Sequence, residues 1–113
     1  MFAFLMGLPT VTPGDLYRLL QTEAVTVFDV NQRVSWQRAH VPRAIHLEPT
    51  AFGAAELPAD KSARLVFYCS NPLCRKAPNA ARRAKQLGYT DVMVMSAGIK
   101  GWLDAKFPTE TGT

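Results

Sequence analysis

The sequence contains few cysteines and histidines, and their scarcity excludes two common ways of holding a small domain together. The cysteines are Cys69 and Cys74, in a chain of 113 residues. A secreted domain held by disulfides would carry more cysteines, spread along the chain. A structural zinc site would need two further ligands, and neither His40 nor His46 lies at a zinc-finger spacing. We therefore expect no metal, and thiol chemistry in a reducing compartment.

Long apolar runs and internal repeats are also absent from the sequence. The first seven residues are apolar, but the first basic residue of the chain is Arg18. Such a segment is too short to cross a bilayer and lacks the charged start of a signal peptide. We expect a cytoplasmic protein without a membrane partner, in which residues 1–10 form an N-terminal extension that packs on the domain or on a neighbouring molecule.

Length and composition predict one folded domain with an ordinary core. A domain of this length should bury roughly two-thirds of its unfolded surface. A hydrophobic content of 48%, against 19% charged residues, excludes a disordered chain. The net charge of +4 is too small to indicate nucleic acid as a partner and suits a small anionic substrate. We expect the domain to span residues 11–107 and the polar tail at 108–113 to fray; the oligomeric state stays open.

Short apolar runs alternate with helical patterns along the chain. The predicted strands are 25–28, 44–46, 64–68 and 92–95, and the predicted helices are 12–21, 33–38, 52–56, 75–87 and 99–105. The strands at 64–68 and 92–95 are apolar throughout, as expected of central parallel strands covered on both faces. Thr12 is followed by Pro13 and Asp15, an order typical of a helix N-terminus. This alternation predicts an α/β domain with a largely parallel sheet.

A candidate nucleophile lies where the central strand ends. Cys69 directly follows the strand at 64–68, and after a turn Arg75 opens the longest predicted helix. Ligands of open α/β sheets bind beyond the carboxyl ends of strands, where a helix N-terminus presents unpaired N–H groups and partial positive charge. A loop curled around that end would hold an anion and stabilise the thiolate form of Cys69. We therefore favour a reactive Cys69 over the alternative that Cys69 is a small buried hydrophobic side chain. The predicted anion-binding loop comprises Ser70, Asn71, Pro72, Leu73, Cys74 and Arg75.

Several motifs have the order and spacing of a known family. They are residues 27–30, 40–46, 68–69 with Arg75, 87–89 and 98–102. Together they resemble the rhodanese-like, or sulfurtransferase, domains over residues 11 to about 107. The resemblance implies a single-domain fold with a central, mostly parallel sheet flanked by helices on both faces. It also implies that Cys69 is the catalytic nucleophile at the head of an active-site loop, and that no cofactor takes part.

The active-site loop departs from the pattern of single-domain sulfurtransferases. That pattern usually has four residues between the cysteine and the following arginine, whereas five residues separate Cys69 from Arg75. The longer spacing resembles the related Cdc25-type phosphatases and arsenate reductases, whose wider loop takes a tetrahedral oxyanion. The other departures are Asn31 in place of an arginine, and Ala39, Arg43 and Ala97 in place of glycines.

Three functions are therefore compatible with the sequence. The first is sulfur transfer, in which the Cys69 thiolate takes the outer sulfur of thiosulfate or a similar donor and a thiol or cyanide acceptor removes it. The second is phosphatase or arsenate reductase chemistry by the same nucleophile, for which Glu48 and Asp29 are the nearest acids by topology. The third is a regulatory interaction module without catalysis, which the presence of Cys69 disfavours.

Cys74 has two open interpretations. It is either a small side chain that fills the loop, or a resolving thiol that attacks the persulfidated or oxidised nucleophile and leaves a disulfide. The second requires the two Cα atoms to lie within about 7 Å of each other. Elsewhere, Trp36 and Trp102 are expected to pack beside the core, His40 to be structural, and Arg43 to reach the mouth of the loop.

Overall fold

The structure of the chain is a computed structural model that describes residues 3, 6–22 and 24–112. The strands in these ranges form one parallel sheet in the order β2-β1-β3-β4, with bounds β1 (Thr26–Asp29), β2 (Ile45–His46), β3 (Arg64–Tyr68) and β4 (Asp91–Val94). The helices are α1 (Pro13–Thr22), α2 (Arg33–Arg38), α3 (Lys76–Gln86) and α4 (Gly98–Asp104), with one 3-10 turn at Ala54–Glu56. The predicted α/β domain is confirmed, although the helix expected at 52–56 is only this turn. Within the same ranges, no helix combines the length and the apolarity needed to cross a membrane.

The sheet separates two clusters of buried side chains. Side chains of β3 alternate between them: Leu65 and Phe67 lie in the cluster covered by α3, and Val66 and Tyr68 in the cluster covered by α1 and α4. This follows from the period of two in a strand, and it explains why a strand covered on both faces is apolar throughout. The face that α3 buries is made of small residues, which let the helix lie close to the sheet: Ala77, Pro78, Ala80, Ala81 and Ala84.

Helix α1 begins at the predicted capping motif. The Asp15 N–H donates to Thr12 Oγ1 at 3.0 Å, and the Thr12 N–H donates to the Asp15 carboxylate at 3.4 Å. Pro13 is the first helical residue, where its missing N–H costs little. The predicted start of this helix is therefore confirmed.

The N-terminal segment runs along the edge of the sheet beside β4. Thr10 forms a parallel bridge with Val94, and the Val11 N–H donates to the Val94 carbonyl at 2.9 Å. Ala3 and Leu8 are buried in the cluster covered by α3. The described part of the N-terminal segment thus packs on the domain, while residues 1, 2, 4 and 5 lie outside the described residues.

The C-terminal tail is attached to the domain as far as Gly112. Glu110 forms an antiparallel bridge with His40, and the Gly112 N–H donates to the Gln37 carbonyl at 2.8 Å. The expectation that residues 108–113 fray is therefore wrong through Gly112. The reason is that the polar tail pairs its backbone groups with α2 and the segment after it, a partner that composition does not reveal.

Candidate functional site

The candidate nucleophile lies at the carboxyl end of β3, beside the first turn of α3. Cys69 directly follows β3 and is 3% exposed. The Ala77 N–H donates to Cys69 Sγ at 3.4 Å. Because Ala77 lies in the first turn of α3, this donor is one of the N–H groups that a helix leaves unpaired within itself. This N–H places partial positive charge at the sulfur. The sequence predicted such N–H donors only at residues 70–75, so it missed Ala77.

Asn71 folds the loop between Cys69 and α3 onto itself. The Leu73 N–H donates to Asn71 Oδ1 at 2.9 Å, and the Cys74 N–H donates to the Asn71 carbonyl at 3.1 Å. Two of the predicted anion-binding N–H groups are thus engaged inside the loop in this form. Leu73 is exposed over 71% of its surface, and Pro72 beside it is exposed as well. The turn carries Cys74 back towards the end of β3.

The turn joins Cys69 and Cys74 in a disulfide. Their Cα atoms are 6.4 Å apart, within the separation of about 7 Å that a bridge permits. Cys69 is buried, whereas Cys74 is half-buried. The geometric condition for a resolving thiol is therefore met.

Helix α4 supports the loop from the other side. The Ile99 N–H donates to the Cys69 carbonyl at 2.9 Å. Gly98 has a φ of +68° and lies against the peptide between Ser70 and Asn71, where a Cβ would be 2.6 Å from Ser70 C and Asn71 N. Only glycine fits this close approach of two backbones without a shift. The sequence motif at 98–102 contains Gly98, but its loop contact becomes visible only in three dimensions.

A hydrogen-bond network, buried except at Ser70, ties the loop to the end of β1. Ser70 Oγ donates to Asn31 Oδ1 at 2.7 Å, and the Asn31 N–H donates to Asp29 Oδ1 at 2.9 Å. The Tyr68 hydroxyl donates to Asp29 Oδ2 at 2.6 Å and accepts the Val41 N–H at 3.1 Å. No sequence motif connects these residues. The carboxyl ends of β1 and β3 lie side by side in the sheet, which is why their side chains meet.

Asp29 serves as an anchor of this network rather than as an acid at the site. Burial raises the pKa of Asp29, while hydrogen bonds from Tyr68 and Asn31 act in the opposite direction. Burial and the neighbouring Asp29 carboxylate raise the pKa of Tyr68, so the phenol keeps its proton and remains a donor. Asp29 is fully buried and both of its carboxylate oxygens accept hydrogen bonds.

A cavity of about 450 Å³ opens beside Cys74. Glu48 lies in its wall, and hydrogen bonds from the Thr50 hydroxyl and N–H, at 2.8 and 3.2 Å, lower the pKa of Glu48. Glu48 is therefore ionised at neutral pH and is a poor proton donor. No three His, Cys, Asp or Glu side chains in the described part of the chain are grouped to hold a metal ion. The other polar lining residues of the cavity are Asn31, Gln32, Arg75, Lys76 and Asn79.

The remaining residues singled out in the sequence have structural roles. Trp36 and Trp102 are buried, which confirms them as core side chains. His40 is buried against Trp36, and its Nδ1–H donates to the Trp36 carbonyl at 2.6 Å, as expected of a structural histidine. The expectation that Arg43 reaches the loop mouth is wrong, because its guanidinium donates to the Leu20 carbonyl at 2.7 Å. Arg43 has a φ of +66°, which accounts for the glycine that the family pattern has there.

Comparison with known proteins identifies relatives of this arrangement. A family model described as the rhodanese-like domain matches residues 12–105. The human thiosulfate:glutathione sulfurtransferase is 30% identical over 112 residues, which cover 87% of this chain and 96% of that protein. An HTH-type transcriptional regulator of Mycobacterium tuberculosis is 32% identical over 114 residues, which cover 97% of this chain and 49% of the regulator. The chain therefore spans about half the length of that regulator.

Solved structures share the fold. A Bacillus halodurans protein superposes with a TM-score of 0.84 at 24% identity, covering 91% of this chain and 77% of that protein. A thiosulfate sulfurtransferase from Pseudomonas aeruginosa also gives a TM-score of 0.84, at 18% identity, covering 99% of this chain and 22% of that chain. At these identities the likeness establishes the fold alone.

Proposed function

The chain belongs to the rhodanese-like domain family, and from this premise we propose that it is a sulfurtransferase whose Cys69 carries the transferred sulfur as a persulfide. The observation that carries the proposal is the Ala77 N–H that donates to Cys69 Sγ at the N-terminus of α3. A helix N-terminus stabilises a nearby negative charge by about 0.3–1 kcal/mol, and by up to about 2 kcal/mol in a partly buried site. A sulfur in this position is stabilised as a thiolate and, after transfer, as an anionic persulfide.

The reaction consists of two displacements at sulfur. In the first, the Cys69 thiolate attacks the outer sulfur of thiosulfate or a similar donor, a sulfur–sulfur bond forms, and sulfite leaves with the electron pair of the broken bond. In the second, a thiophilic acceptor takes the outer sulfur and the Cys69 thiolate is regenerated. Cyanide, glutathione and protein thiols are acceptors of this class. Neither displacement needs a metal or an organic cofactor.

Positive charge near the loop favours an anionic donor. Arg75 and Lys76 line the cavity beside Cys74 and outnumber its one acid, Glu48, and the chain as a whole carries a net charge of +4. Charge of one sign in a cleft raises the local concentration of substrates of the other sign. We expect the donor to enter through this cavity once the Cys69–Cys74 bridge has been reduced.

Phosphatase or arsenate reductase chemistry is the alternative suggested by the longer loop. Such reactions gain from an acid that protonates the leaving group, whereas sulfite leaves as a stable anion. Neither of the two nearest acids suits that role, because Glu48 has a lowered pKa and the Asp29 carboxylate is buried and hydrogen-bonded at both oxygens. The acid–base environment of the loop therefore favours sulfur transfer.

The test compares the reduced wild-type protein with Cys69→Ser and Cys74→Ser. Each protein is assayed with thiosulfate and cyanide, with an aryl phosphate, and with arsenate and a thiol. We expect sulfite release from the wild type and from Cys74→Ser, thiocyanate from Cys74→Ser, and neither product from Cys69→Ser. Sulfur transfer that survives in Cys69→Ser, or turnover of phosphate or arsenate without sulfur transfer, would overturn the proposal. The absence of all three activities would favour an interaction module.

A further inference from the structure

We propose that Cys74 gives this site a second activity, the reductive release of hydrosulfide from the Cys69 persulfide. The inference rests on the proposed sulfurtransferase function, because the sulfur must first be loaded on Cys69. Cys74 then acts as an internal thiol acceptor, and the Cys69–Cys74 disulfide is the product of the step. The substrates of this activity are a sulfane sulfur donor such as thiosulfate and a dithiol reductant.

The loop holds the two sulfurs ready to react. Hydrogen bonds from the Leu73 and Cys74 N–H groups to Asn71, at 2.9 and 3.1 Å, close the turn, and Gly98 of α4 packs against its backbone. Cys74 is thereby held 6.4 Å from Cys69 between Cα atoms, within bonding reach of its sulfur. A thiol held in this way has an effective concentration far above that of a dissolved acceptor. Cys74 is therefore the first thiol that a Cys69 persulfide meets.

The step balances in atoms and electrons. The sulfur of Cys74 attacks Cys69 Sγ, which is the inner sulfur of the persulfide, and a bond between the two Sγ atoms forms. The bond from Cys69 Sγ to the outer sulfur breaks, and its electron pair stays with the outer sulfur. That sulfur leaves as hydrosulfide, carrying the proton that the Cys74 thiol gives up. The sulfane sulfur is reduced to sulfide, and the two cysteines are oxidised to the disulfide.

The product of this step differs from the product of a sulfur relay. If Cys74 attacked the outer sulfur instead, the sulfane sulfur would move to Cys74 and Cys69 would leave as a free thiolate. No bond between Cys69 and Cys74 would result. Attack on the inner sulfur yields the Cys69–Cys74 bond, and the structure shows that the loop accommodates this product.

The different exposure of the two cysteines determines which sulfur a dithiol attacks when it reduces the bridge. Cys69 is 3% exposed, whereas Cys74 is half-buried and lines the 450 Å³ cavity. A dithiol in the cavity attacks Cys74 Sγ and displaces Cys69 as a thiolate, which the Ala77 N–H stabilises from 3.4 Å. The second thiol of the reductant then closes its own disulfide and frees Cys74. In sum, thiosulfate and a dithiol yield sulfite, hydrogen sulfide and the oxidised dithiol.

The test is a single turnover in the absence of free thiol. Wild type and Cys74→Ser are reduced, freed of reductant and mixed anaerobically with thiosulfate, and sulfite, sulfide and protein mass are measured. For the wild type we expect equal amounts of sulfite and hydrosulfide, and a mass about 2 Da below that of the reduced protein. For Cys74→Ser we expect sulfite without hydrosulfide, and a mass about 32 Da above that of the reduced protein. With a dithiol added, the wild type should produce hydrosulfide about tenfold faster than Cys74→Ser, or more.

Three results would overturn the inference while leaving the proposed function intact. They are a wild-type protein that keeps the persulfide on Cys69 and releases no hydrosulfide, a wild-type protein whose added sulfur maps to Cys74, and equal rates of dithiol-driven hydrosulfide production by both proteins. If neither protein releases sulfite from thiosulfate, the proposed function fails, and the inference fails with it. The persulfide on Cys74→Ser therefore separates the two cases.

Discussion

Replacing Gly98 by alanine should disturb the loop that carries Cys69 without altering any side chain of that loop. Gly98 has a φ of +68°, in the left-handed region that costs an L-residue about 1–2 kcal/mol. A Cβ at this position would lie 2.6 Å from Ser70 C and from Asn71 N. These are backbone atoms, so either the loop or α4 would have to move. Overpacking of this kind adds a cost of about 1–3 kcal/mol.

Together the two effects predict a loss of about 2–5 kcal/mol in the free energy of unfolding of Gly98→Ala. In a domain near this size, each kcal/mol lowers Tm by about 4 °C, so Tm should fall by roughly 8–20 °C. Activity should fall as well, because the Ile99 N–H that follows Gly98 donates to the Cys69 carbonyl at 2.9 Å. Misplacement of a reacting group by about 1 Å can cost about 100-fold, so persulfide formation per folded molecule should slow by about 10- to 100-fold.

The assay combines thermal unfolding, followed by circular dichroism, with single-turnover persulfide loading well below the Tm of the variant. Gly14→Ala is the matched control, because Gly14 lies in α1 and a Cβ there meets no atom of its surroundings closer than 3.8 Å. Alanine in that helix should be neutral or stabilising by up to about 1 kcal/mol. A Gly98→Ala protein that melts within about 2 °C of the wild type and loads sulfur at the wild-type rate would refute the argument.

The buried network behind the loop should respond to substitution and to pH. Tyr68→Phe removes the donor to Asp29 and the acceptor of the Val41 N–H, so denaturant titration should show a loss of about 1–3 kcal/mol, and unchanged stability would contradict the network. Burial raises the folded-state pKa of Asp29, so the folded protein binds this proton more tightly than the unfolded chain does. The Asp29 contribution to stability is therefore lost as pH rises from the unfolded pKa of about 3.9 through the folded pKa. The stability deficit of Asp29→Asn, measured by denaturation between about pH 4 and pH 8, should shrink as pH rises, and a growing deficit would contradict the sign. Ser70→Ala removes the hydrogen bond to Asn31 and should lower stability by about 0.5–1.5 kcal/mol and slow persulfide loading, whereas wild-type values in both measurements would show that this bond does not order the loop.

The strands were predictable from apolar runs. Their ends were not predictable in those strands whose first or last residue is polar. Asp29 lies just outside the predicted strand at 25–28 and is the last residue of β1, because Tyr68 and a backbone N–H satisfy its carboxylate. Asp91 lies just outside the predicted strand at 92–95 and is the first residue of β4, because Arg64 Nε donates to its carboxylate at 3.0 Å. The side-chain partners lie 39 and 27 residues away in sequence. A local sequence pattern does not show that a carboxylate has a hydrogen-bond partner so far away along the chain.

The placement of the candidate site in the fold was predictable because the end of β3 and the start of α3 are close in sequence, with Cys69 between them. The contacts that define the site were not. The donor to the sulfur is Ala77, whose position depends on how the loop folds before α3 begins. The backbone of Gly98 packs against the loop, although Gly98 is distant from it in sequence. The two segments meet because β3 and β4 are neighbouring parallel strands, so that the residues following them lie at the same edge of the sheet. Residues that act through backbone contact have no chemical signature that a sequence reveals.

The length of the loop connects the two proposed reactions, persulfide formation and hydrosulfide release, through Cys74, the last of the five residues between Cys69 and Arg75. An anion bound at Cys69 needs the space in front of Sγ, and in the bridged form the Cys74 sulfur occupies that space. The bridged loop also uses its Leu73 and Cys74 N–H groups for hydrogen bonds to Asn71. Donor binding and the Cys69–Cys74 bond are therefore mutually exclusive. In the proposed cycle, reduction, donor binding and hydrosulfide release must therefore occur in that order, and the bridge formed at the end of one turnover excludes a second donor until a dithiol has reduced it.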